Sequence, residues 1–366
     1  MKTFVLLTTA AAIAPILGCQ PPHRSAPIAP PSNAGPAAAA PQPMAAFSRF
    51  IGGRWKMTTT AGTDHFDTWS WGPGRQSIRS MRVGTLPNGD PGSVVTVYYW
   101  HPTLKQVRLL SVGSVWRGVG EGSAKFEGDS AENEFTLHQV GGPPDRPRGP
   151  RDLRERWTFA GPDMYHDVLS ERVRRDYVLL AGWDRVRVEA AGPAGGAVVP
   201  SAGPESTPSE FMRPLAKVLG NAWASVAAPS TDAPQPADEP RTRTSFEYVP
   251  HADAIYGRVE VLGADGASSH AMDVYLYHHT GTRGLRLLAL GRGGPDGASV
   301  YEGDIVPAAD RTSLAIRLTE HRSTAQQAME ARIEFEKDGA TRVQVWRLTG
   351  QDRKIAMDRR HSRARE

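Results

Sequence analysis

Phe47-Ser48-Arg49-Phe50-Ile51-Gly52-Gly53-Arg54-Trp55 and Leu215-Ala216-Lys217-Val218-Leu219-Gly220-Asn221-Ala222-Trp223 run in one register, and their match decides how the rest of the chain is read. Apolar residues coincide at Phe47/Leu215, Phe50/Val218 and Ile51/Leu219. Gly52/Gly220 and Trp55/Trp223 then fall in step. Apolar spacing of i, i+3, i+4 is one face of a short helix. The glycine ends that helix, and the tryptophan opens a first strand.

The echo continues in order along the chain. Val97-Tyr98-Tyr99-Trp100-His101 matches Val274-Tyr275-Leu276-Tyr277-His278, and Arg108-Leu109-Leu110 matches Arg286-Leu287-Leu288 after one inserted residue. Glu121-Gly122 matches Glu302-Gly303, and Trp157-Thr158-Phe159 matches Ile333-Glu334-Phe335. A collinear series of this kind means two copies of one fold.

Each copy is cut by Gly, Pro, Asp and Asn into short runs that read as strands. In the first they fall near 54–60, 65–72, 76–84, 93–101, 105–112, 118–127, 133–140, 153–160, 164–171 and 176–187. Leu314, Ile316 and Leu318 alternate with Ala315 and Arg317, as in a half-buried strand. The reading is all-β, with one domain over 44–188 and a second over 210–366. Residues 189–209 form a Gly/Pro/Ala-rich linker, and 141–152 and 227–240 form Pro-rich loops.

A short helix, then Gly53-Arg54-Trp55, then eight to ten antiparallel strands resembles the lipocalin and fatty-acid-binding-protein superfamily, including lipocalin-like domains of exported bacterial proteins. The resemblance implies two tandem β-barrels, each preceded by a short helix. It implies that Gly53 and Trp55 close one end of the first barrel, with an arginine of the last strand, Arg185 or Arg187, stacked on the ring. In the second copy it assigns those roles to Trp223 and to Arg359 or Arg360. There the motif departs, with one more residue between Gly220 and Trp223.

At the N-terminus Lys2 precedes the apolar run 4–17, which ends in Ile16-Leu17-Gly18-Cys19. This is the layout of a signal peptide, and it resembles the lipobox of bacterial lipoproteins. The resemblance implies cleavage after Gly18, residues 1–18 being removed, and a covalent lipid on Cys19. Gln20, where an Asp would hold such proteins at the inner membrane, points to the outer membrane, facing the periplasm or the cell surface. Residues 19–43 are Pro, Ala, Ser and Gly with almost no large apolar side chains, the composition of an unfolded tether.

Composition narrows the function. Cys19 is the one cysteine among 366 residues, so disulfides and cysteine-based metal sites are excluded within a chain. The net charge of +4 is spread along the sequence, with no clustered basic face for a nucleic acid. No nucleophile elbow, phosphate loop or dinucleotide turn is present. His65, His101, His138, His166, His251, His270, His278 and His279 show no metal-ligand spacing on a helix. Tyr165-His166-Asp167 and Glu155 are the acid–base groups worth naming, and strand alternation turns His166 away from Tyr165 and Asp167.

These observations lead to an expectation of a membrane-anchored envelope lipoprotein with no catalytic residues, metal or cofactor beyond the lipid. Its first barrel is rich in aromatics and is expected to hold a small apolar or amphipathic ligand against Trp71, Tyr99, Phe135, Trp157, Phe159 and His166. The alternatives are an envelope scaffold or protein-interaction module with no small ligand, its protein partners unknown, and, less favoured, a haem-binding barrel or an enzyme.

Overall fold

A computed structural model of the chain describes residues 42–60, 62–86, 88–116, 118–139, 149–190, 209–212, 215, 222–226, 241–249, 253–263, 266–292, 298–309, 312–323, 325–336 and 340–363. The expected signal peptide, Cys19, nearly all of the expected tether, the linker interior, most of the 141–152 loop and the 227–240 loop lie outside these residues.

The first copy is a meander of ten strands: β1 (Gly53–Thr58), β2 (Asp64–Trp71), β3 (Ser77–Thr85), β4 (Pro91–His101), β5 (Gln106–Gly113), β6 (Gly118–Glu127), β7 (Ser130–Gln139), β8 (Arg151–Gly161), β9 (Met164–Val173) and β10 (Asp176–Ala190). The second repeats it with β11 (Ala222–Val226), β12 (Arg241–Tyr248), β13 (Ala254–Leu262), β14 (Ser268–His279), β15 (Gly284–Gly291), β16 (Ser299–Pro307), β17 (Ser313–His321), β18 (Gln326–Phe335), β19 (Thr341–Thr349) and β20 (Asp352–Arg363). Within each copy every strand pairs antiparallel with its neighbour in sequence. β1 meets β10 and β11 meets β20, so both sheets close into barrels without an edge.

A helical turn, Gln42–Ala45, continues as a tight 3-10 turn through Phe50 ahead of β1. It is a plug. Met44, Phe47 and Phe50 are fully buried inside the first barrel. The Phe50 ring stacks on Trp69 at 4.3 Å and meets Trp157 and Tyr165 edge-on. The Trp55 indole N–H donates to the Phe50 carbonyl across 3.1 Å, which satisfies both groups at the sealed end. The second barrel is filled instead by aliphatic residues such as Ile255, Leu276, Ile316 and Val345. Met212 and Leu215 are buried against that core, and Val218 to Gly220 lie outside the described residues.

A third core lies between the barrels. Val95, Val97, Tyr99, Leu110 and Val112 on the outside of the first barrel pack with Tyr256, Tyr275, Tyr277, Leu288 and Leu290 on the outside of the second. Tyr99 lies opposite Arg108, and Tyr277 opposite Arg286. Each barrel therefore offers the other the same patch, as the halves of a two-fold dimer do. The repeat positions Arg79 and Tyr256 meet each other there, with the guanidinium 3.9 Å above the ring.

The register corrects the match made from sequence. Tyr99 and His101 correspond to Tyr277 and His279, one residue later than Leu276 and His278. The extra residue is Ala271, bulged out of β14 between His270 and Met272. A bulge adds a residue to one strand and leaves its partner unchanged.

Candidate functional site

The barrel-end motif is built around Trp55. Arg187, opposite it in β10, lies over the ring at 4.5 Å. Its guanidinium donates to the carbonyls of Arg49, Ile51 and Pro162. A side chain at Gly53 would collide with it, since a Cβ there would stand 2.6 Å from Arg187 Nη1. Arg185, the other candidate, does not stack. One step deeper, it is fully buried and bound to Asp67 and Asp167, because a cation at that depth needs carboxylates around it. In the second barrel Trp223 lies opposite Arg363, while Arg359 lies opposite Val343 and Arg360 opposite Arg342, so neither sequence candidate holds the stacking register.

The interior of the first barrel is occupied by its own side chains. Phe135 and Trp157 point inward, and Phe159 and Trp71 pack at the margin of that core. The space left beside Trp69, Tyr98 and Trp157 is about 20 Å3, room for a single water. Around it runs a polar girdle. Asp67 and Asp167 hold Arg185, Asp67 also binds Arg82, and Asn133 donates to Glu155. Burial, reinforced by the charge of Asp167, raises the Glu155 carboxyl to about 8. Two expected ligand residues lie elsewhere. His166 is on the outer face, bonded to Asp184 at 2.5 Å. Tyr99 also points outward, because alternation along β4 gives the interior to Tyr98.

Tyr99 leads to the larger site. Between the barrels lies a cavity of about 190 Å3, lined by Tyr99 and Tyr277, Arg108 and Arg286, Leu110 and Leu288, and Glu121 and Glu302. Its wall is made of equivalent residues from the two copies. Tyr99 donates to Glu302 across 2.7 Å, and Tyr277 donates to Glu121 across 3.1 Å. Arg286 binds Glu121 at 3.2 Å and lies 3.5 Å from Asp304. Burial would raise the Glu121 carboxyl, but donors from His279, Arg286 and Tyr277 outweigh it and hold the group below its ordinary value. Burial pushes both tyrosine hydroxyls well above theirs.

A histidine cluster adjoins each carboxylate. His101 of the first barrel joins Glu302 and His321 of the second, and His279 of the second joins Glu121 and His138 of the first. In each set the possible ligand atoms lie within 4.8 Å of one another. The loop geometry argues against an ion. The Leu104 N–H donates to His101 Nδ1, and the Gly281 and Thr282 N–H groups donate to His279 Nδ1. Each neutral ring therefore carries its proton on Nε2, which in His279 faces Glu121. A metal-bound imidazole needs its lone pair there and donates outward from the other nitrogen. The Glu121 cluster is thus a hydrogen-bonded clasp between barrels, in which His279 Nε2 sits 3.3 Å from Glu121, while in the Glu302 cluster His101 meets the His321 ring at 4.5 Å. Burial favours the neutral form of His101, His138 and His321.

Sequence reasoning paired Glu121 with Glu302 and Arg108 with Arg286 but gave Arg108 no role in a site and passed over His321. The signal was in β4 and β5. Val94-Val95-Thr96-Val97-Tyr98-Tyr99 and Leu109-Leu110 are apolar without alternation, as in strands covered on both faces. The chain matches no protein-family model and no curated protein.

Proposed function

We propose that this is a lipid-anchored binding protein of the cell envelope, non-catalytic, whose small ligand sits between two lipocalin-like barrels. The anchor and the outer-membrane address rest on the signal-peptide layout ending at Cys19. The observation that carries the ligand reading is the contrast between about 190 Å3 at the interface and about 20 Å3 inside the first barrel. An apolar cavity of about 150 Å3 takes up benzene, so the interface has room for a small metabolite. Its walls of Tyr, Arg and Glu favour a polar one over the apolar molecule expected from the aromatic content of the first barrel.

Native mass spectrometry and thermal shift of the full chain against a panel of small polar metabolites test this reading. Leu288→Phe, which fills the cavity, should abolish binding, and Phe135→Leu, inside the first barrel, should leave it unchanged. The reverse pattern would return the ligand to the barrel interior.

One observation favours an interaction module as the second reading. Val168, Leu179, Val186 and Val188 are exposed on β9 and β10, and apolar residues gathered on one face mark contact surfaces. Sedimentation that changes with concentration, and loses that dependence in Leu179→Lys, would support it.

A further inference from the structure

We infer that the inter-barrel cavity takes one small monoanion, held through its oxyanion on Arg108. This rests on the cavity being the ligand site, and it follows from a break in the repeat. Arg286 and Arg108 are equivalent, but their cross-strand neighbours differ. Asp304 stands opposite Arg286, and Ser123 stands opposite Arg108. Arg286 has its charge met by Glu121 and Asp304. Arg108 makes no ion pair and no side-chain hydrogen bond among the described residues, though it lines the same cavity.

The Tyr99 and Tyr277 hydroxyl hydrogens are directed at Glu302 and Glu121, and His279 Nε2 faces Glu121. Arg286 keeps a buried Nε without a hydrogen bond, but its charge is already met by Glu121 and Asp304. What remains for a ligand is the guanidinium fork of Arg108, whose planar pair of N–H groups fits a carboxylate or phosphate oxygen pair. The ligand's charge is limited from the other side, because Glu121 and Glu302 share the wall and would repel a second negative charge. One free arginine sets one ligand per chain, despite the two-fold character of the wall.

Isothermal titration of the full chain tests this with propionate, inorganic phosphate and propionamide, the neutral isostere of propionate. The expected result is saturable 1:1 binding of an anion and roughly tenfold or weaker affinity for propionamide. Arg108→Ala should weaken anion binding by a similar factor. Ser123→Asp removes no contact and gives Arg108 the partner that Asp304 gives Arg286, so it should weaken binding as much. Whichever of propionate and phosphate binds more tightly names the oxyanion. If propionamide binds as well as propionate and both variants match the parent, the anion inference is overturned and the cavity reading stands. If neither the three probes nor the metabolite panel binds, both fall.

Discussion

The hydroxyl of Tyr99 in the first barrel donates to the carboxylate of Glu302 in the second, across 2.7 Å of space and 203 residues of sequence. Tyr277 and Glu121 make the reciprocal bond. Removing one partner leaves a carboxylate in a largely enclosed interface, at a cost of about 1–3 kcal/mol. Tyr99→Phe should lower the unfolding midpoint of the whole chain in urea accordingly. Tyr99→Phe with Tyr277→Phe should split the transition, because the barrels then unfold less cooperatively. An unchanged, single transition in the double variant would show that the apolar contact alone couples them.

The histidine clasps make a prediction about metals. With the Nδ1 atoms of His101 and His279 accepting backbone N–H bonds, Zn2+ or Ni2+ at stoichiometric excess should leave the melting temperature unchanged, as should exhaustive chelation. A rise on adding metal, reversed by chelator and lost in His279→Ala, would mean that the loops release these rings to an ion.

At the sealed end of the first barrel, Gly53 leaves room for Arg187. Gly53→Ala should push the guanidinium off Trp55 and off the carbonyls of Arg49 and Ile51, lowering stability by about 1–3 kcal/mol. Arg187→Ala should cost a similar amount, and Gly53→Ala should add little on that background. A double-mutant cycle by chemical denaturation reads the coupling, and full additivity would refute it.

The interiors of the barrels respond to pH in opposite directions. Unfolded, Glu155 loses its proton near 4.5, and folded it keeps it to about 8. Between these values the folded state holds the extra proton, so stability falls as pH rises through the window, then levels off. Glu155→Gln should flatten that limb. A slope that survives the substitution would place the titration elsewhere.

In the second barrel, burial and the Arg359 charge lower His361 from 6.5 to about 3. Between these values the unfolded state holds the extra proton, so stability falls as pH drops below about 6.5. His361→Leu should remove part of that acid sensitivity. Denaturant midpoints measured from pH 4 to 9 would separate the two limbs, and an unaltered acid limb in His361→Leu would exclude this ring as its source.

Much of the fold was legible because Gly53-Arg54-Trp55 and Trp223 mark the first strand of each copy, and because strands such as β17 alternate cleanly. The interface was not, for two physical reasons. The bulge at Ala271 shifts β14 by one residue, which hides the equivalence of Tyr99 with Tyr277. Aromatic content also says nothing about direction. Tyr98 and Tyr99 are adjacent, yet one fills the barrel and the other meets the second barrel. Arg185 and Arg187 share a strand face, and only their depth separates an ion-paired residue from a stacked one.

The stacking of Arg79 on Tyr256 bears on the order in which the chain folds. In N-to-C synthesis β1 to β10, which close on one another as the first barrel, are complete before β13 to β16 are made. In that interval its apolar patch around Val97 and Tyr99 has no cover, and the nearest complementary surface is the same patch on another nascent chain. In such a pairing Arg79 would face Arg79, two like charges on the dyad where the finished molecule has a cation over a ring. That mismatch would disfavour cross-chain capture and leave the patch to the second barrel of its own chain, so the fused repeat carries a term against self-association at the stage when it would be most vulnerable to it.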